Sequence, residues 1–219
     1  MEIAYLKKDT IKLEVYMVHS YNYGNTKSFV LHNIQKEVVR KAIHLLVAFV
    51  PTLAVWNFDL TVFLLISGIL VYTYAEYLRI RGRYVPLISD LTAIASRDRD
   101  RGHFVLGPVT LGLGALLALL LYPHPAATIA IYALAFGDGL SSLAGKLFGV
   151  RKIPFTDGKT YAGSFTCFLA VFMIVRFLSG DLIYSLSIAL ASTILEAIPS
   201  KDLDNMIIPI GTGLLASLL

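Results

Sequence analysis

The run AATIAIYALAFGDGLSSLAGKLF, residues 126–148, decides how this chain is read. Its first eleven positions are apolar apart from Thr128, and the run is about as long as an α-helix must be to cross a hydrocarbon core of roughly 30 Å. Its second half nevertheless carries Asp138 and Lys146. Comparable apolar runs lie at roughly 42–57, 60–78, 104–122, 162–178, 182–199 and 206–219. The expected fold is all-α, a polytopic membrane helical bundle of about seven transmembrane helices. Composition agrees: 56% of residues are apolar, only 16% are charged, and the mean hydropathy is +0.69. A soluble domain carries about 25% charged residues. Lipid is the solvent that accounts for the deficit.

Basic residues orient the bundle. With a cytoplasmic N-terminus, every Lys and Arg except Arg176 falls on the cytoplasmic side, out of 19 in the chain. This is the positive-inside pattern, and it puts the C-terminus outside. The net charge of +4 is thus explained by orientation and by anionic headgroups, and nucleic acid is not an expected partner. The expected division is a cytoplasmic tail over 1–36 and a transmembrane domain over 37–219. The tail reads as mixed polar sequence, not a signal peptide, so the first span acts as its own insertion signal. Within it, residues 11–18 alternate enough to suggest a short strand or interfacial segment. The single Cys167 excludes an internal disulfide and a cysteine zinc site.

Ionisable groups inside spans are costly and are functional candidates for that reason. Asp138 lies roughly 12 Å below the cytoplasmic end of its span, too deep for so short a side chain to reach water. Glu76 and Glu196 lie about one turn inside two other spans. His44 sits in the first turn of the first span, and Asp204-Asn205 opens the last. Several helices thus bring polar groups to one depth on one side. Glu76 has a plainer reading, because Arg79 and Arg81 are near enough to pair with it. In the deciding run, Gly137, Ser141, Gly145 and Gly149 recur at helical steps of four, and beside them Asp138, Ser142 and Lys146 do the same. The small residues suit close helix packing. The carboxylate, hydroxyl and ammonium beside bare backbone suit a metal-bound polyphosphate. The loop after it, Arg151-Lys-Ile-Pro-Phe-Thr-Asp-Gly-Lys-Thr-Tyr-Ala-Gly-Ser164, adds three cations, two glycines and several hydroxyls. Neither a Walker A motif nor a dinucleotide fingerprint is present.

The run GDGLSSLAGKLFGVRKIPFTDGKTYAGSFTCF, residues 137–168, resembles the CTP-binding segment of the dolichol kinase and phytol kinase family of membrane lipid-alcohol kinases. Arg40-Lys-Ala-Ile-His44, Glu76-Tyr-Leu-Arg79, and Glu196 followed by Asp204-Asn-Met-Ile-Ile-Pro209 extend the resemblance over about residues 36–215. The resemblance implies transfer of a phosphoryl group from CTP to the hydroxyl of a membrane lipid, with Mg²⁺ or a similar divalent cation. Carried onto this chain, Asp138, Lys146, Lys159, Thr160, Gly163 and Ser164 fall on the nucleotide side, beside Gly137, Ser142 and Gly145 of the polyphosphate surface. Glu196, Asp204 and Asn205 become candidates for metal binding, for the metal-nucleotide, or for orienting the hydroxyl. The metal set is Asp138, Glu196 and Asp204. Asp157-Gly158 stands where more basic residues are expected, which weakens Arg151 and Lys152 as phosphate contacts.

The expected activity is a CTP-dependent kinase acting on dolichol or another polyprenol, with phytol, geranylgeraniol or diacylglycerol as further acceptors, and with the active site facing the cytoplasm. The catalytic candidates are Asp138, His44 and Glu196, and either Asp138 or His44 can serve as general base. A CTP-dependent lipid cytidylyltransferase is the rival enzyme, but the chain lacks the longer signature of that group. A small transporter would need a polar path through the outer half, which offers little beyond Asp59, His124, Arg176 and Asp181. In the loop before the third span, Ser96-Arg-Asp-Arg-Asp-Arg-Gly-His103 alternates in charge and reads as a self-paired solvated segment.

Overall fold

The computed structural model describes residues 34–96, 100 and 102–219, with Lys201 described in its backbone only. The strand expected at 11–18 and three arginines of the 96–103 loop lie outside them. The chain clusters into two units, Met1–Lys36 and Glu37–Leu219. The second unit holds every candidate site residue.

The described elements are helices: α1 (Ile34–Trp56), α2 (Phe58–Ile80), α3 (Ile88–Ala95), α4 (Gly107–Leu121), α5 (Ala126–Phe148), α6 (Tyr161–Ser179), α7 (Leu182–Ala197) and α8 (Asp204–Leu218). Among the described residues only one isolated β-bridge occurs, between Lys152 and Thr160. Local chemistry sets the boundaries. Asn57 reverses the chain between α1 and α2, and its side chain accepts the Leu60 amide at 2.9 Å. Asp181 caps α7 through the Tyr184 amide at 2.8 Å. Pro51 has no amide hydrogen to give the preceding turn, and just ahead of it Leu46–Phe49 tightens into a 3₁₀ turn.

Among the described residues four helices, α1, α2, α5 and α6, are long and apolar enough to cross a membrane. The apolar runs expected to make the other spans form α4, α7 and α8, of 15, 16 and 15 residues. At 1.5 Å per residue these reach roughly 22–24 Å, short of a 30 Å core. A hydropathy run marks where lipid-compatible sequence lies, but the helix that forms inside it is trimmed by its caps.

The distribution of polarity is that of a membrane protein. Large apolar side chains such as Phe63, Leu70, Phe165, Phe177 and Ile183 face outward, whereas Glu37, Lys41, His44, Glu76, Asp138 and Glu196 are buried. An aqueous surface would make that arrangement costly on both counts. The central helix is α5, whose apolar stretch is 72% buried against 11–22% for those of α1, α2 and α6. Its N-terminal half packs on α8 and its C-terminal half on α6; α6 also lies along α7, and α2 along α4. Ile129, Ala133, Cys167, Val171, Ile188 and Ile208 form the core where α5, α6, α7 and α8 meet. Two glycines set close approaches. A Cβ on Gly114 would lie 2.0 Å from the Asn205 carbonyl oxygen, and one on Gly163 would lie 2.8 Å from that of Ser141.

Candidate active site

The backbone of α5 is not uniformly α-helical. Ala133–Asp138 runs as a π-helical segment, and Asp138 ends it. Such segments are rare and tend to mark functional positions. The extra residue in the turn re-aims Asp138 relative to an ideal helix, toward α1.

One face of α1 meets it. Glu37, Arg40, Lys41 and His44 fall at i, i+3, i+4 and i+7, so they share a stripe. Lys41 Nζ donates to Asp138 Oδ2 at 2.5 Å, and His44 Nε2 lies 3.3 Å from the same oxygen. Neither ring nitrogen of His44 has a hydrogen-bond partner among the described residues. Glu37 pairs with Arg40 on its own helix and with Lys146 of α5. From sequence, Lys41 and Arg40 count toward membrane orientation, and Glu37 carries no role. The missed signal is their helical spacing at the mouth of an apolar run.

Lys159 joins the second half of the cluster. Its Nζ donates to Glu196 Oε1 at 2.5 Å and stands 3.9 Å from Asp138 Oδ1. Glu196 also accepts from Ser141 Oγ at 3.1 Å and from Ser164 Oγ at 3.4 Å. Burial works to lower the Lys159 pKa, but the Asp138 and Glu196 carboxylates, together with the Glu196 hydrogen bond, outweigh it and raise the pKa above 10.5. The loop carrying Lys159 is held as a narrow hairpin: the Ile153 amide donates to the Lys159 carbonyl at 2.8 Å, and the Tyr161 amide to that of Arg151 at 3.2 Å. Thr160 caps α6 through the Gly163 amide at 3.1 Å.

Lys159 and Glu196 line a polar chamber of about 350 Å³ together with Glu37, Arg40, Ser142, Gly145, Lys146, Asp157, Thr160, Gly163 and Asp204, while Asp138 stands at its edge through Lys159. Helix α6 points its N-terminus at this chamber, and helix N-termini favour anions. Ser164 meets the cluster through Glu196 instead. Gly137 packs against Val171 and Cys167 and is not among the lining residues of the chamber. Both amide hydrogens of Asn205 are committed to α4, through the Gly107 carbonyl at 3.2 Å and Thr110 Oγ1 at 2.9 Å. Arg151 and Lys152 line a separate surface depression with Pro154 and Tyr161. Glu76 belongs elsewhere: it accepts from Arg79 at 2.6 and 2.7 Å and from the Val105 amide at 2.8 Å, so it pins the chain entering α4.

No three His, Cys, Asp or Glu side chains converge on one point among the described residues. Asp138 and Glu196 are bridged by Lys159, and Asp204 lies on the same chamber wall. This donor set does not make a metal cage by itself. It does suit Mg²⁺ arriving with a nucleotide, since that ion is commonly held by one or two carboxylates and completed by phosphate oxygens and water.

An apolar-surfaced helical bundle with a buried carboxylate–lysine cluster beside a chamber lined by both cations and carboxylates defines a membrane protein with a charged cavity. Comparison with known proteins narrows the class. No family model matches the chain, and no solved structure does. A probable phytol kinase of Zea mays is 25% identical over 85% of this chain and 68% of its own length. The phytol kinase of Synechocystis is 29% identical over 82% of this chain and 78% of its own length. The farnesol kinase of Arabidopsis thaliana is 30% identical over 57% of this chain and 46% of its own length. The chain spans about half the length of several plant relatives it matches. These similarities support a phosphotransferase acting on a lipid alcohol.

Proposed function

We propose that this protein is a membrane kinase that transfers the terminal phosphoryl group of a nucleoside triphosphate, CTP, to the hydroxyl of a membrane lipid alcohol. The observation that carries the reading is the position of Lys159: one ammonium touches Glu196 and approaches Asp138 at the wall of a chamber that also holds Arg40 and Lys146. Phosphoryl transfer asks a protein chiefly for positioning and for neutralising charge on the phosphate oxygens. Four cations are on hand in and beside this chamber: Arg40, Lys41, Lys146 and Lys159. The names of the relatives support an isoprenoid alcohol as acceptor. CTP as donor rests on the sequence resemblance.

In this mechanism the nucleotide enters the chamber and Lys159 turns from the carboxylates toward its phosphates, joined by Lys146 and Arg40. The acceptor oxygen bonds to the terminal phosphorus as the bond from that phosphorus to the bridging oxygen breaks. The nucleoside diphosphate leaves with the bonding electrons, and the hydroxyl proton passes to the Asp138–His44 pair. Mg²⁺, held by Asp138 with Glu196 or Asp204, would neutralise phosphate charge when bound. The chamber opens toward the cytoplasm in this reading, and α4, α7 and α8 complete a bundle of about seven membrane-associated helices.

Purified protein incubated with terminally labelled CTP and phytol, farnesol, geranylgeraniol, a polyprenol or diacylglycerol tests the assignment. The expected result is label in the lipid with release of CDP. Release of pyrophosphate with a cytidine-bearing lipid would replace the kinase by a cytidylyltransferase, and absence of any transfer would remove the reading.

A further inference from the structure

A second cavity, of about 190 Å³, lies against the polar chamber and shares Arg40 and Asp204 with it. Its walls differ in kind. Ile43 of α1, Leu91 and Ala95 of α3, and Pro108 and Leu111 of α4 make it largely apolar. Its polar lining includes His44 and Asp138, with Arg40, Lys41, Asp204 and Asn205 beside them. His44 is 4% exposed, and its two ring nitrogens lack hydrogen-bond partners among the described residues. A buried imidazole left in that state loses free energy unless something hydrogen-bonds to it. The cavity needs an occupant with one polar tip and an apolar body.

We propose that this cavity is the acceptor subsite, and that it takes an alcohol with a single apolar chain, its hydroxyl at His44 and Asp138 and its chain beneath α3. The inference rests on the kinase reading and gives it a place and a class of acceptor. Helix α3 supplies the route. It has eight residues and packs chiefly on α2; Leu91, which lines the cavity, is also exposed, as are Ile94 and, just ahead of the helix, Leu87. In the membrane reading those side chains face lipid, and a chain leaving the cavity beside α3 would then enter the bilayer without crossing water. One narrow apolar cavity accommodates one chain. Diacylglycerol would bring a second chain and two ester carbonyls. The one hydroxyl donor among the cavity's aromatic side chains, Tyr72, already bonds the Val105 carbonyl at 3.1 Å.

The test combines labelling with a filled cavity. A diazirine-bearing C15 alcohol, photolysed on the full-length protein in detergent without nucleotide, is expected to label peptides containing Ile43, Ala95 or Leu111. Excess geranylgeraniol should suppress the labelling and diacylglycerol should not. Ala95→Phe narrows the cavity from a short peripheral helix and is expected to raise KM for the alcohol about tenfold, the effect of roughly one lost apolar contact surface, with KM for CTP within about twofold. Leu91→Trp serves as the second variant, with the same expectation. Transfer to lipid alcohols by the wild type, with KM unchanged in both variants and labelling elsewhere, would overturn the subsite and leave the kinase reading intact. Absence of transfer by the wild type would overturn both. Suppression of labelling by diacylglycerol would overturn the single-chain class.

Discussion

Lys41 and Asp138 stand 97 positions apart in the chain, and the Nζ of the first lies 2.5 Å from Oδ2 of the second. Both are nearly inaccessible, at 5% and 2% exposure. A buried ion pair contributes little net stability against an apolar replacement, but breaking one by removing a single partner is expensive. Lys41→Met leaves a buried carboxylate with only His44 and the more distant Lys159 beside it, and is expected to cost about 3 kcal/mol. Replacing both groups, as Lys41→Met with Asp138→Leu, should restore most of that stability while leaving the protein without activity. Thermal unfolding in detergent of the two single variants and the double variant checks this. Equal losses that simply add would show that the pair is not coupled.

Lys159 gives a prediction with a definite pH window. Its folded-state pKa is raised above the ordinary 10.5 by the Asp138 and Glu196 carboxylates, against the opposing effect of burial. A group with a raised folded pKa contributes stability that is fully present below the unfolded value and is lost as pH rises through the folded value. The stability gap between wild type and Lys159→Met should therefore be constant from about pH 6 to 9 and shrink only above about 10.5. Denaturant titrations at several pH values measure it. The same charge argument makes Lys159→Ala lose at least about a hundredfold in kcat, since a charge-assisted contact to a transferring phosphate is worth several kcal/mol.

Much of the site is legible in the sequence. Asp138, Lys146, Lys159 and Glu196 stand out because a charge in or beside an apolar run has to be explained, Thr160 stands out only through the family resemblance, and the structure brings all of them to one chamber or its edge. Glu37 and Lys41 do not stand out, because charges at the start of the first span are also what orientation requires. Two demands on one stretch of sequence hide the second. The π-helical segment before Asp138 leaves no periodic trace either, since adding one residue to a turn changes which neighbour a side chain meets but not the apolar character of Ala133–Phe136. Span count is hard to read for a different reason: hydropathy measures tolerance of lipid, while helix length depends on local caps and on prolines such as Pro123 and Pro125.

Glu76 is expected to be structural. It has no exposed surface, and its carboxylate receives the Arg79 guanidinium and the Val105 amide. Arg79 in turn donates to the His103 carbonyl at 3.0 Å. Glu76→Ala leaves the Val105 amide and the guanidinium without their acceptor, at a cost of about 1–3 kcal/mol. Hydrogen exchange at Val105 should accelerate, and KM for CTP should stay within about twofold because the carboxylate is not part of the chamber. A rise in KM for CTP with unchanged exchange would place Glu76 in substrate binding.

Gly163 separates two roles that glycines in this segment can play. If the residue is glycine so that its amide can reach a phosphate, Gly163→Ala should weaken nucleotide binding and spare stability. The structure points to the other role. Its amide is already taken by Thr160 Oγ1 at 3.1 Å, and an added Cβ would fall 2.8 Å from the Ser141 carbonyl oxygen. That oxygen belongs to backbone and cannot swing aside, so α5 and α6 must separate. Overpacking of this kind costs about 1–3 kcal/mol. The separation also stretches the Ser141–Glu196 hydrogen bond of 3.1 Å, which would loosen the grip of Glu196 on Lys159. Gly163→Ala is therefore expected to lower the unfolding temperature and kcat together. Gly158→Ala provides the contrast: Gly158 lines the chamber with open space around its Cβ position but a φ of +83°, so its strain stays within the loop. A Gly163→Ala protein that melts like wild type but binds CTP poorly would return this glycine to the phosphates.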